Sequence, residues 1–323
     1  QRDDAHHERQ HRSHRHALVV KGFDEGQDPG GVGVERHTQP NGDGDPERAT
    51  RMGGKPVLGC PSVDDRAEGD ADVLRFNGSN VNEIINISAT GARARLFRNV
   101  ANITMDLGTV ERIEVNALGG ADTLAVDPLA GTDVTTVRFD LAATGGVGDA
   151  QADTVNFNGS AAADALNASG SPAQLAVTDG TANVLVLGAE SATDRFNING
   201  LAGNDTLSAE LSAAGLMLLT VDGGADSDTA VVTGTAGADA IQVAGLVASA
   251  SVTAAGASLF STLAMENLRI DALGGSDTVV AGTGLAGVVQ LTIDGGPGDD
   301  SLTGGNGADQ ILGGDGSDSV RGG

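Results

Sequence analysis

Three consecutive nonapeptides close this chain: residues 295–303 (GGPGDDSLT), 304–312 (GGNGADQIL) and 313–321 (GGDGSDSVR). Each fits G-G-x-G-x-D-x-U-x, where U is a large aliphatic residue. Six residues rich in Gly and Asp make a tight turn, and the three residues around Leu302, Ile311 or Val320 make a short strand. The glycines Gly295, Gly296 and Gly298, then Gly304, Gly305 and Gly307, then Gly313, Gly314 and Gly316, permit the positive φ such a turn needs and leave backbone carbonyls unobstructed. The sixth residue of each copy, Asp300, Asp309 or Asp318, adds a hard anionic oxygen. Carbonyls together with carboxylates are the ligand set that Ca²⁺ prefers.

The repetition runs upstream. Residues 76–85, 157–166, 232–241 and 302–311 align as one block, with the acidic position at Glu83, Asp164, Asp239 and Asp309. A second block aligns residues 115–124, 198–207 and 270–279. The body therefore reads as three degenerate units of about 70–80 residues over 71–294, followed by the nonapeptide array at 295–323. Asp205 to Asp228 and Asp277 to Asp300 are each 23 residues, and two nonapeptides make 18. Steps near 20 suit one coil of a parallel β-solenoid or β-roll with Asp-Gly turns at its corners. The segments around Leu218-Thr220-Val221 and Leu291-Thr292-Ile293 alternate and β-branch as strands should. The fold class expected is all-β, although an antiparallel sandwich array also fits turn signals at such spacing.

Among the upstream loops, residues 234–242 (GTAGADAIQ) depart from the pattern only by Thr at position two, and 223–228 only by Asp at the last Gly. Asp239 and Asp228 thus join the candidate metal ligands. The loops ending at Asp122 and Asp277 read as shortened by two residues, and the one ending at Asp205 as shorter on its Gly side. These, with the Gly-poor Phe76 and Phe157 blocks, are expected to be solenoid turns.

The formal charge is −25, and −21 of it falls on residues 71–323, which hold only nine basic residues. Such an acidic body argues against nucleic acid as a partner and suits a protein neutralised by bound cations. Aromatic residues are 2%, with no Trp or Tyr, so the core must be aliphatic. No run of about 18 apolar residues exists, so no spanning helix is expected. A lone cysteine, Cys60, forms no disulfide within the chain.

Residues 1–70 hold all six histidines and five of the eight prolines without a hydrophobic period, and read as a disordered or non-native leader. His7-Glu8-Arg9-Gln10-His11 is a literal H-E-x-x-H, the zinc motif of metalloproteases. His14 and Ala17 stand where the extended motif requires Gly and His, and no apolar face surrounds it, so it reads as a chance match. With no histidine in the body, no Ser-His-Asp set can be assembled, and no catalytic residue is expected.

The nonapeptides resemble the hemolysin-type RTX family. The resemblance implies that each turn of the roll consumes two nonapeptides, with Ca²⁺ between loops on the same side. The Gly295–Asp300 loop should then stack on the Gly313–Asp318 loop as one complete site. The Gly304–Asp309 loop lies on the other side, where its earlier neighbour carries no carboxylate and its later one would begin at Gly322, leaving that site incomplete. The resemblance also implies a secreted, extracellular bacterial protein, exported unfolded by a type I secretion apparatus. The expected function is calcium binding that stabilises the roll, without intrinsic catalysis. The alternatives are the carrier of a larger secreted enzyme or toxin, or the extender of a surface adhesin.

Overall fold

The computed structural model describes residues 17–20, 34–37, 62–64 and 72–322. The His7–His11 motif and Cys60 lie outside them. Two sheets, of 13 and 14 strands, form the walls of a roll, and apart from three hairpin excursions and the antiparallel pair Ala17–Val20 and Val34–His37 at one edge, neighbouring strands within each wall run parallel. No α-helix occurs among the described residues.

The strands are short because each has to cross only one wall. Arg195–Asn199, Leu218–Asp222 and Gln290–Asp294 are typical, with alternate residues buried. That alternation gives each strand one inward face, and parallel stacking then aligns like residues along the core. Phe76, Val115, Phe139 and Val186 stand in register on one wall. Phe157, Ile198 and Val221 do so on the other. All seven are 2% exposed or less.

Each long unit opens with a three-stranded antiparallel meander. The meanders are Ile84–Thr90 to Ile103–Gly108, Ala165–Ser171 to Asn183–Leu187, and Ala240–Leu246 to Ala257–Leu263. Four single strands, alternating between walls, then complete the unit. Five wall visits per unit is an odd number, so the next meander falls in the opposite wall. The first and third meanders widen the 14-stranded sheet and the second widens the 13-stranded one. Each adds two extra strands to a single wall, and the alternation keeps the two walls matched in width.

The apolar content of a coil falls toward the C-terminus. A five-residue strand such as Arg195–Asn199 buries two side chains, Phe196 and Ile198. The nonapeptide strands Ser301–Thr303, Gln310–Leu312 and Ser319–Arg321 have three residues and one inward position each. Leu302 is fully buried there, whereas Val320 is 50% exposed. At roughly 2 kcal/mol per buried aliphatic side chain, each of these strands loses about half of the apolar stabilisation of its upstream counterparts.

Candidate metal centre

An acidic residue stands immediately before most strands, and these residues stack into columns at the corners of the roll. One column is Glu83, Asp122, Asp153 and Asp194; a second is Asp164, Asp205, Asp228 and Glu266; the third is Asp239, Asp277, Asp300 and Asp318. Within a column the backbone N–H of each acid donates to the carboxylate of the next, at 2.8–3.1 Å. The backbone carbonyl of each accepts the N–H that opens the strand one coil on, as Asp300 O does from Ser319. The column thus sets the strand register as well as gathering charge. Each column has four acids and starts at the meander that opens a unit, which is why the acidic positions 83, 164 and 239 recur in the sequence; Asp309 repeats the position without heading a column. The last rung, Asp300 to Asp318, spans 18 residues, two nonapeptides.

The loops carrying these acids share one conformation more widely than the glycine pattern suggests. In the Gly295–Asp300 loop, Gly296 and Gly298 have φ of +84° and +149°. The loops read as shortened are full length. Leu118, Leu201 and Leu273 hold position two at φ of +78°, +78° and +71°, and Gly120, Gly203 and Gly275 hold position four. Leucine avoids this region, at a cost of about 1–2 kcal/mol, and a Leu there hides the loop from a reader looking for glycine.

Two kinds of loop follow from position two. In the loops that open meanders it is Ser79, Ser160 or Thr235, and that residue bonds its own acid, as Glu190 also does in the loop of Asp194. The Ser160 N–H donates to Asp164 Oδ2 at 2.6 Å, and the Thr235 N–H and hydroxyl donate to Asp239 at 2.7 and 3.1 Å. In the other kind, position two is left-handed and offers the acid nothing. There the second carboxylate oxygen is buried without a hydrogen-bond partner at Asp122, Asp205, Asp228, Asp277, Asp300 and Asp309; Glu83 Oε2 is left the same way in the Ser79 loop, where only Oε1 is bonded. A buried unpaired carboxylate oxygen is costly unless something cationic meets it.

The surroundings of that oxygen are also oxygen-rich. A Cβ placed on Gly295 would lie 2.4 Å from Asp300 Oδ2 and 2.6 Å from the carbonyl oxygen of Gly313. One placed on Gly314 would meet the Gly296 carbonyl at 1.9 Å, and one on Gly316 the Gly298 carbonyl at 2.0 Å. Carbonyl oxygens of each loop therefore face bare glycines of the next, and only glycine fits. Among the described residues no three acidic, His or Cys side chains converge on one point, so a cation here takes most of its ligands from carbonyls. Paired carboxylates with carbonyls fit Ca²⁺ and do not fit a metal that demands nitrogen or sulfur.

Burial and mutual repulsion leave their mark on the acids. Burial pushes the carboxyl of Asp122 up to about 8 and that of Asp153 to about 7, against an ordinary 3.8, with neighbouring carboxylates adding to the rise and backbone N–H donors opposing it. Asp194, Asp205, Asp228 and Asp277 are raised for the same first cause, and for Asp205 the charge of Asp228 contributes.

The structure brings most of the sequence candidates together. The loops ending at Asp239, Asp277, Asp300 and Asp318 form one continuous stack, in which Gly298 N–H donates to Asp315 O at 2.7 Å and Gly275 N–H to Pro297 O at 3.0 Å. Asp228 lies in a separate column in the other wall, against Asp205. The Gly304–Asp309 loop also lies on that side, and its strand pairs with Gln290–Asp294, which is preceded by Val289 rather than an acid. Gly305 there packs against the Gly282 carbonyl and Gly307 against Ala286. Reading for the nonapeptide pattern alone misses Asp122, Asp205 and Asp277 as equivalent rungs, and their signal was the acid one residue before an alternating strand.

The RTX calcium-binding nonapeptide repeat family matches the chain in 4 copies, over residues 197–212 and 292–323. The first segment contains the Asp205 loop with its left-handed Leu201, and the second all three nonapeptides. No curated protein matches the chain. The chain carries RTX calcium-binding nonapeptide repeats, a family that binds Ca²⁺, and their loops are corners of a longer parallel β-roll.

Proposed function

We propose that calcium is a folding ligand of the C-terminal coils, bound between the loops ending at Asp300 and Asp318. The observation that carries this is the second oxygen of Asp300, buried without a partner where the nonapeptide strands bury at most one apolar residue each. Without a cation the stacked carboxylates repel and the glycine loops retain their entropy. With one, the anionic oxygens and the carbonyls facing Gly314 and Gly316 are satisfied together, so binding and folding are one equilibrium. The Gly295, Gly296 and Gly298 carbonyls and those of Gly313, Gly314 and Gly316 supply the remaining oxygens. Asp277 continues the stack on its other side. Asp228 offers a like oxygen against Asp205, whereas the carboxylate of Asp239 already holds Thr235. The loop of Gly304, Gly305, Gly307 and Asp309 has one acid rather than a pair and should bind more weakly.

In this reading the module has no catalysis of its own. Its acidic chain is exported unfolded, by a type I apparatus from a bacterial cytosol poor in calcium, and folds outside. Affinity should fall in the extracellular range, about 10⁻⁴–10⁻³ M. At ten times that Kd each site adds about 1.4 kcal/mol to stability. Calorimetric titration of calcium into EGTA-treated, dialysed chain tests the reading. Saturable binding in that range supports it, and an absence of binding up to 10-fold above that range overturns it.

A further inference from the structure

The first corner of the roll already contains a cation. Glu83 stands at the head of the first column, with its N–H donating to Asp122 at 2.8 Å, the same position that Asp239 takes in the third. The guanidinium of Arg98 bonds Glu83 Oε1 and the Ser79 hydroxyl, with the side chains of Arg98 and Glu83 3% and 0% exposed. The same guanidinium lies 5.8 Å from the ring centre of Phe76. Arg98 ends the second strand of the first meander, opposite Ile85. The equivalent residue of the third meander, opposite Ile241, is Ala254, which carries no charge.

The charge of the chain divides in the same way. Residues 72–140 hold six arginines and nine acids, a net of −3, while residues 141–322 hold three arginines and 21 acids, a net of −18. In the first stretch Arg75 and Arg112 meet Glu114, Arg93 meets Asp106 and Arg138 meets Asp140. Beyond it Arg269 bonds Asp271, its neighbour on the same strand.

We propose that Arg98 is a built-in counterion, doing at the Glu83 corner what a bound cation does at the Asp300 corner. The N-terminal coils then hold their fold without metal and serve as the template on which calcium closes the rest. This rests on the calcium reading above for the C-terminal coils only. A template that is permanently neutralised at one end suits a parallel stack, in which each coil needs a formed neighbour to pair with.

Hydrogen exchange on the full chain, in EGTA and in saturating calcium, tests it. The strands Val73–Ser79, Ile84–Thr90 and Arg112–Leu118 should exchange at the same rate in both conditions, within about twofold, while Gln290–Asp294 and Ser301–Thr303 slow by about tenfold or more with calcium. Should the C-terminal strands not respond, the calcium reading fails. Should the N-terminal strands respond equally, the proposal fails and the calcium reading stands. Arg98→Gln should speed exchange of the N-terminal strands in EGTA, with calcium restoring at least part of the protection. Arg98→Lys, which keeps the charge, should remain calcium-independent. A loss in Arg98→Gln that calcium does not restore, or equal losses in both variants, would show Arg98 to be a packing residue and overturn the proposal. If Arg98→Gln does not fold, the wild-type comparison and Arg98→Lys still decide it.

Discussion

Replacing Gly298 by Ala is expected to be among the most damaging single-methyl additions the chain can suffer. The new Cβ would sit 1.5 Å from the Gly275 carbonyl oxygen, at a φ of +149°. That oxygen belongs to backbone that is held in place. Gly275 N–H donates to Pro297 O, and Gly298 N–H donates to Asp315 O, so the loops above and below cannot separate without losing both bonds. Overpacking of this kind costs about 1–3 kcal/mol and the backbone strain about another 1–2 kcal/mol, giving roughly 2–5 kcal/mol. Gly256→Ala is the control. Gly256 has a φ of +83° in a hairpin turn with nothing within 4 Å of the added atom, so only strain of about 1–2 kcal/mol applies. Urea unfolding in saturating calcium, followed by circular dichroism and by exchange in Ser301–Thr303, should separate the two variants clearly. Equal midpoints would refute the reasoning, because they would mean that the loops do not approach each other as closely as the stacked carbonyls require.

Leu273→Gly and Leu201→Gly remove left-handed strain of about 1–2 kcal/mol and add about 0.5–1 kcal/mol of unfolded-state entropy, so each should stabilise the roll slightly, by about 0.5–1 kcal/mol in thermal unfolding. In EGTA the chain should be more stable at pH 5 than at pH 8. Asp122 and Asp153 have folded values raised to about 8 and about 7 from 3.8, so the stability they give by holding protons is complete below about 4 and lost as pH rises through the raised values. Asp122→Asn with Asp153→Asn should flatten that profile. Thr235→Val keeps the backbone N–H bond to Asp239 and loses the hydroxyl's, so it should cost about 1 kcal/mol without changing calcium affinity measured calorimetrically.

The roll was legible because its loops are chemical signatures and its strands alternate. The three nonapeptides and the acids at 83, 164, 239 and 309 suffice to predict a repeating parallel coil. The meanders were not legible. The hairpin turns Pro172-Ala173 and Val247-Ala248 lack the Asn-Gly or Asp-Gly signal, Asp179-Gly180 looks like any other Asp-Gly corner of the roll, and the meander strands alternate like every other strand. Leu118, Leu201 and Leu273 concealed full-length loops because leucine rarely takes a positive φ. The distinction between acids satisfied by Ser160 or Thr235 and acids left with an unpaired oxygen is a matter of side-chain hydrogen bonding, which spacing alone does not specify.

Calcium dependence of the C-terminal stack is most directly tested by far-ultraviolet circular dichroism of the full chain, with calcium and with EGTA, for the wild type and for Asp300→Ala with Asp318→Ala. Calcium should raise the β-sheet signal of the wild type and leave that of the double variant unchanged. A wild-type spectrum identical in calcium and in EGTA would contradict calcium as the folding ligand of these coils.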